Sequence, residues 1–268
     1  MRDRGFALVA VLWALLLLGA LAAAVAGGAR TEAALARNGA DSAVAVAAAE
    51  AGVNLAIERL IGMVGIGGTD PDGASRFEIE VVGVPVRIAM FDTCGRVDLN
   101  EAPPELLEAV FAGAGLTPAR AYADRVIEHR RQRRFEIEAA LRPLLELDAV
   151  TWARLRDQVT IHCRQPGIDR RVAPRDLLAR LPGIDRYILE QLIERRAAPI
   201  DLARGEQPLP SLGAAETLML ESNRFSHLVV AQAAVPGGAS ETLSVLVSLV
   251  PGASRPYMLL DWRRGGRG

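Results

Sequence analysis

Lysine is missing from the 268 residues, so all 31 basic side chains are arginine. Beside so much alanine, this reads as a compositional bias of the genome rather than as chemistry. The arginines nearly cancel 32 acidic residues, leaving a net charge of −1. No global field therefore draws the chain to nucleic acid or to an acidic lipid surface. Aromatic residues make up 4%, too few for the stacking platforms of single-stranded nucleic-acid binders. The three histidines, His129, His162 and His227, lie far apart with no motif around them. There is no His pair at helical spacing, no Gly-x-Ser-x-Gly elbow, no phosphate loop and no conspicuous carboxylate pair. The chain is expected not to be an enzyme. Only two cysteines occur, Cys94 and Cys163. In an extracytoplasmic domain an even pair favours a disulfide, and two unrelated buried thiols are the other reading.

What the chain does have is one long run without charge, Phe6 to Ala26. As a helix it would span about 30 Å, the thickness of a bilayer core. A signal peptide and a retained membrane helix are both open. The tail Ala22-Ala23-Ala24 would suit cleavage. The run, however, is longer than the roughly 7–15 apolar residues of a signal peptide, and Arg2 and Arg4 would hold its start in the cytoplasm. A retained helix is expected.

From Ala29 to about Val64 the chain is alanine-rich, carries scattered charges and has no proline. The helix should continue here, loosened at Gly27-Gly28, with Ala43, Ala47 and Gly52 forming a close-packing face. Gly65 to Ser75 is a loop. Its Asp70-Pro71-Asp72-Gly73 misses the calcium-loop spacing and reads as a turn. Phe77, Ile79 and Val81 alternate with Glu78 and Glu80, then Val84, Val86 and Ile88 follow Gly83, which makes a hairpin with Pro85 at an edge or strand start. From Asp92 to about Glu221 the pattern is helical. Strands return at 227–235, 242–250 and 257–262. Strands, a long helical insert and strands again give an α+β architecture with one antiparallel sheet.

The insert contains an imperfect repeat. Ala102-Pro103, Leu106-Leu107, Gly115 and Ile127-Glu128-His129-Arg130 correspond to Ala173-Pro174, Leu177-Leu178, Gly183 and Ile193-Glu194-Arg195-Arg196. The units read as helix-hairpin-helix-like, a motif that binds DNA phosphate through hairpin amides and a helix N-terminus. The arginine cluster from Arg125 to Arg134 favours a membrane-anchored, competence-like DNA receptor as the alternative function. Asp185 in the second hairpin, Glu136, Glu138 and the missing lysine speak against it, and nucleic acid is not an expected partner.

Arg4-Gly5-Phe6 before the apolar run resembles the processing site of type IV prepilins and type II secretion pseudopilins. The run Val97-Asp98-Leu99-Asn100-Glu101-Ala102-Pro103, then Val159 to Ile161 with Gly167 to Asp169, and Ala173 to Ile184 resemble the extra α-domain of one member, the K-type minor pseudopilin (general secretion pathway protein K family). The resemblance covers essentially the whole chain. It implies cleavage between Gly5 and Phe6 with N-methylation of Phe6. Ala10 stands where most members have Glu, a departure that fits a subunit at the filament tip. The implied order is a leader at 1–5 and an N-terminal helix at 6–64, membrane-spanning over 6–26. The first part of the sheet follows at 65–91, an inserted α-domain with SAM-like repeats at 92–222, and C-terminal strands at 223–268. The resemblance further implies a structural role in protein export. It places the chain in the inner membrane, single-pass, with a cytoplasmic N-terminus and a periplasmic body. The implied partners are the I- and J-type minor pseudopilins, the major pseudopilin and the prepilin peptidase. Some K-type proteins bind calcium in the α-domain, so calcium is the one cofactor implied, with no ligand assigned here.

Overall fold

The computed structural model describes residues 3–62, 70–197, 212–222, 225–236 and 238–265; the side chains of residues 3–10, 14, 24, 26, 29 and 197 also lie outside the description. Helix α1 runs from Asp3 to Gly62 without a break at Gly27-Gly28, where a loosening was expected. Local hydrogen bonding keeps it regular there, the Thr31 hydroxyl donating to the Gly27 carbonyl. Its described first half is bare: Val11, Leu12, Trp13, Leu15 to Leu18, Leu21 and Val25 are each between 57% and 66% exposed. No helix is long and apolar enough to cross a membrane among the described residues. The membrane-spanning expectation for 6–26 therefore finds no support there, the side chains of residues 6–10, 14, 24 and 26 being outside the description.

The second half of α1 packs on a sheet of five antiparallel strands. These are β1 (Ala74–Val81), β2 (Val84–Asp92), β7 (Ser226–Ala234), β8 (Ser240–Leu249) and β9 (Tyr257–Arg264), hydrogen-bonded in that order. Ala48, Ala49, Val53, Ala56, Ile57 and Leu60 meet Val86, Ile88, Val229, Ala231, Val245 and Val247. The buried stripe differs from the expected one. Gly52 does face the sheet, where an added Cβ would lie 2.8 Å from Val86, but Ala43 and Ala47 are exposed and Ala45, Ala48 and Ala49 take their place. The stripe follows the i, i+3, i+4 spacing of the larger residues Val53, Ile57 and Leu60, which set the helix's rotation.

The β1–β2 turn holds Val82 and Gly83 at φ 49° and 79°, the backbone of a two-residue hairpin. Pro85 is at the start of β2, one residue before pairing with β7 begins at Val86, so no ladder donor is lost. At the other end of β2, Asp92 pairs with His227 of β7. The two strands form a hairpin whose tip is replaced by residues 93–225.

That insert is helical: α2 (Pro104–Ala114), α3 (Ala119–Gln132), α4 (Leu141–Leu145), α5 (Ala149–Leu155), α6 (Arg175–Leu178) and α7 (Arg186–Ala197). Two short parallel pairings were not visible in the sequence. β3 (Val97–Asp98) lies beside β4 (Val159–Thr160), and β5 (Ile168–Asp169) beside β6 (Met219–Leu220). The insert has its own core, with Leu99, Leu106, Leu107, Phe111, Val126, Leu141, Leu155, Leu177 and Leu178 buried together. An α+β architecture with one antiparallel sheet is what the alternation and the long helical stretch predict, and it is what the structure has.

Candidate functional site

The polar residues that the fold buries gather where the insert meets the sheet. The turn Asp70 to Gly73 stands at the base of β1, closed by Gly73 N–H donating to Asp70 O at 2.8 Å. Its carboxylates are spent on one arginine: Asp70 and Asp72 both pair with Arg76. The Arg76 hydrogen bond holds the Asp72 carboxyl below its usual range. The Pro71 carbonyl faces the insert and accepts from the Arg175 N–H at 2.8 Å and the Arg196 guanidinium at 2.7 Å. Gly73 (φ 82°) and Gly95 both lie against the Val172 carbonyl, and a Cβ on either would come within 1.9 and 2.4 Å of it. Only glycine permits that approach. The turn dismissed as a calcium loop is therefore the clamp that seats the insert.

Two aspartates organise the insert in the same way. Asp98 follows Val97 on β3, and Asp169 follows Ile168 on β5. Asp98 Oδ1 accepts from Asn100 N–H at 2.9 Å and Oδ2 from Arg164 N–H at 2.8 Å. Asp169 Oδ1 accepts from Arg171 N–H and Oδ2 from Ser222 N–H, both at 2.8 Å. The main chain then turns identically, with Ala102 N–H bonded to Asp98 O and Ala173 N–H to Asp169 O. An arginine from the end of the unit's second helix closes each: Arg130 donates to Ala102 O, and Arg196 to Ala173 O. Gly115 and Gly183 share φ near 87° at matching turns. Ala-Pro pairs and terminal arginines were read from the sequence, but the aspartate hubs that join them were not. A signal was present, a β-branched residue before Asp four positions ahead of each Ala-Pro.

Their electrostatics differ. Burial pushes the Asp98 carboxyl up, because two amide donors do not offset its desolvation. At Asp169 burial works in the same direction, but the Arg171 guanidinium and the Ser222 amide outweigh it and hold the carboxyl low. Ser222 also donates its hydroxyl to Asp92 Oδ2 at 2.6 Å, tying the insert to the last residue of β2. Burial lowers Arg196 to about 10.

Cys94 and Cys163 are joined in a disulfide, which links the turn after β2 to the segment after β4. The histidines are dispersed. His129 lies tilted against Phe135 with ring centroids 4.7 Å apart, and His227 is buried in β7. His162 lies 3.5 Å from Glu138, its pKa lowered by burial. The arginines at the end of α3 and just after it have local partners: Arg131 with Glu128, Arg133 with Glu136, Arg134 with Glu101, and Arg130 with main-chain carbonyls. No group of three or more His, Cys, Asp or Glu that could hold a metal is present among the described residues. Gly5 and Phe6 lie in the first turns of α1, and Ala10 one turn beyond; their side chains are outside the described residues.

No family model matches the sequence, and a search of curated proteins finds none that matches. Among solved structures the chain is similar to a chain of the GspK-GspI-GspJ complex from the type 2 secretion system of enterotoxigenic Escherichia coli. The similarity covers 89% of this chain and 99% of that one, with 14% identity and a TM-score of 0.50. At this identity the likeness speaks for the fold, which is pseudopilin-like.

Proposed function

We propose that the chain is a minor pseudopilin of a type II secretion system, of the K type, cleaved between Gly5 and Phe6. The observation that carries this reading is the architecture. A 60-residue helix leaves the described part of its first half bare and lays its second half on an antiparallel sheet, and a helical insert stands at the tip of one hairpin. Similarity to the complex of secretion pseudopilins supports it. The role is structural, not catalytic.

On this reading the bare leucines need an apolar surrounding, since burying each contributes roughly 1.5–3 kcal/mol. The run crosses the inner membrane once, with Arg2 and Arg4 on the cytoplasmic side and the body in the periplasm, where a disulfide persists. A carboxylate at bilayer depth is expensive unless it is paired. Ala10 needs no pairing partner, which suits a subunit at the tip. Partners are the I- and J-type minor pseudopilins and the major pseudopilin, with the prepilin peptidase as processing enzyme. The two insert units are helix-hairpin-helix-like repeats turned to packing instead of DNA.

The test is the N-terminal mass of the mature protein from native membranes. N-methylated Phe6 is the expected start. An intact Met1 would leave a plain anchor, and a start near Gly27 a secreted soluble protein; either result would sink the proposal.

A further inference from the structure

Four large apolar side chains stand exposed on a single edge strand: Met258, Leu259, Leu260 and Trp262 of β9. Sheet edges are ordinarily blunted by charge, proline or a bulge. β9 has a bulge, where the register shifts between Leu246 and Val247, but the residue left unpaired there is Leu260. Leu259 and Trp262 pair with Val247 and Val245 and share their stem-side face, while Met258, opposite Ser248, takes the outer one.

The main chain of this edge is open as well. β9 is hydrogen-bonded on one side, to β8. Gly265 N–H donates inward to Thr242 O at 2.9 Å, and Pro256 O accepts from Val250 N–H at 2.7 Å. Inward and outward residues alternate along an antiparallel ladder, so the peptide groups of Tyr257, Leu259, Trp262 and Arg264 point away from the sheet. The opposite edge offers nothing comparable. β1 starts beneath the clamp with Ala74 and Ser75 buried, and Arg76 is held by Asp70 and Asp72. β9 is also the edge on the side of the stem. Arg264 lies 3.4 Å from Glu50, and Arg59, farther along α1, lies 3.7 Å over the Phe77 ring of β1. Helix α1 therefore enters over β9 and crosses toward β1.

The charge shown to a partner here is mainly positive. Arg263 pairs with Asp261 and Arg264 with Glu50, but in each pair the guanidinium is the more exposed member, at 64% against 39% and 61% against 42%. Arg255, just before β9, is exposed too. The edge is thus an apolar strip rimmed by guanidinium groups. We propose that β9 takes an edge strand of a different chain, one that sets apolar side chains against the strip and carboxylates against its rim. A second copy does not suit the edge. Pairing β9 with β9 would relate the copies by a two-fold axis and send their stems in opposite directions. In this respect the inference rests on the anchored-stem reading above. One open edge beside the stem, with the other edge closed at its start, fits a subunit whose neighbours lie on the stem side alone.

The test uses the full chain in detergent micelles and a dye-labelled Glu-Val-Glu-Val-Glu-Val-Glu peptide, read by fluorescence anisotropy. Saturable binding is expected, and the same peptide with Lys in place of Glu should bind about tenfold more weakly, the scale of several exposed ion pairs. Leu259→Pro removes an outward amide and no inward one. It should weaken binding about fivefold beyond Leu259→Ala, the scale of one hydrogen bond. No saturable binding, equal binding of the two peptides, or equal binding by the two variants would overturn the docking. The comparison of peptides needs no variant, so it stands whether or not Leu259→Pro folds. Chains carrying Asp261→Cys that link by disulfide to chains carrying Arg263→Cys would assign the edge to a second copy and overturn the proposal as well. Failure of the pseudopilin reading is told apart by the mature N-terminal mass, which none of these measurements touches.

Discussion

Gly73 and Gly83 are a natural matched pair at the scale of single residues. Their φ angles are 82° and 79°, so alanine at either brings a similar backbone strain of roughly 1–3 kcal/mol. Around Gly83 nothing lies within 4 Å of an added Cβ, while at Gly73 the Val172 carbonyl would be 1.9 Å away. Gly73→Ala should therefore lower Tm well beyond Gly83→Ala, each kcal/mol being worth about 2–4 °C in a chain of this size. Equal losses in thermal melts would show that the clamp is not rigid. His162 gives a second residue-scale outcome. Burial lowers its folded pKa below 6.5, against the pull of Glu138, Asp98 and Asp261, with Arg164 adding to the lowering. The folded state thus disfavours the imidazolium. Its contribution to stability is complete above pH 6.5 and is lost as pH falls through the lowered folded value. His162→Gln should consequently flatten the decline in Tm between pH 7 and pH 5. An unchanged slope would mean that the carboxylates around it govern the acid limb.

Among the elements, β3, β4 and the turn after β2 are held by the disulfide between Cys94 and Cys163, which are 69 positions apart. Closing a loop of that length contributes about 4 kcal/mol in the chain-entropy model. Cys94→Ala with Cys163→Ala should lose most of it, read as a denaturant midpoint shift, and the loss should concentrate in hydrogen-exchange protection of the insert. The sheet's own elements are legible in the sequence because their information is local. Alternation of Phe77, Ile79 and Val81 declares β1, and an alanine-rich stretch without proline declares the body-side half of α1. The insert's clamps are not legible, because each is a meeting of distant segments. Arg196 reaches Pro71 across 125 positions, and Ser222 reaches Asp92 across 130. No periodicity records such a bond. Asp70-Pro71-Asp72-Gly73 announces a turn, but what the turn holds is set by Val172. The repeat was visible in Ala-Pro and terminal Arg, yet its aspartate hubs belong to two-residue parallel strands too short to show a period.

Considered as one molecule, the chain is a pilin-like body carrying a second core on a hairpin tip. Asp92 and His227 are direct ladder partners, so their Cα atoms are within the about 4.5–5.5 Å that a tight turn spans. The insert should then be removable. Replacing residues 93–226 by Asn-Gly would join Asp92 to His227 with the dipeptide that such hairpins favour. The sheet should survive, because its core draws on α1, β2, β7 and β8 alone. The cost falls on the clamp side: Ala74 and Ser75 at the base of β1 would become exposed, while Arg76 would keep its pairing with the Asp70–Asp72 turn and its place over the Phe91 ring. Circular dichroism and resistance to trypsin should report a folded protein of reduced Tm. If the chain works as a secretion pseudopilin, that excised form should still enter the membrane, yet secretion of folded substrates should fail. On that reading the insert would cap the filament, its bulk occupying the space above a subunit whose Ala10 has no charge to offer a neighbour. Normal secretion by the excised chain would show that the bulk is dispensable, and the capping role would have to be abandoned even with the pilin-like fold intact.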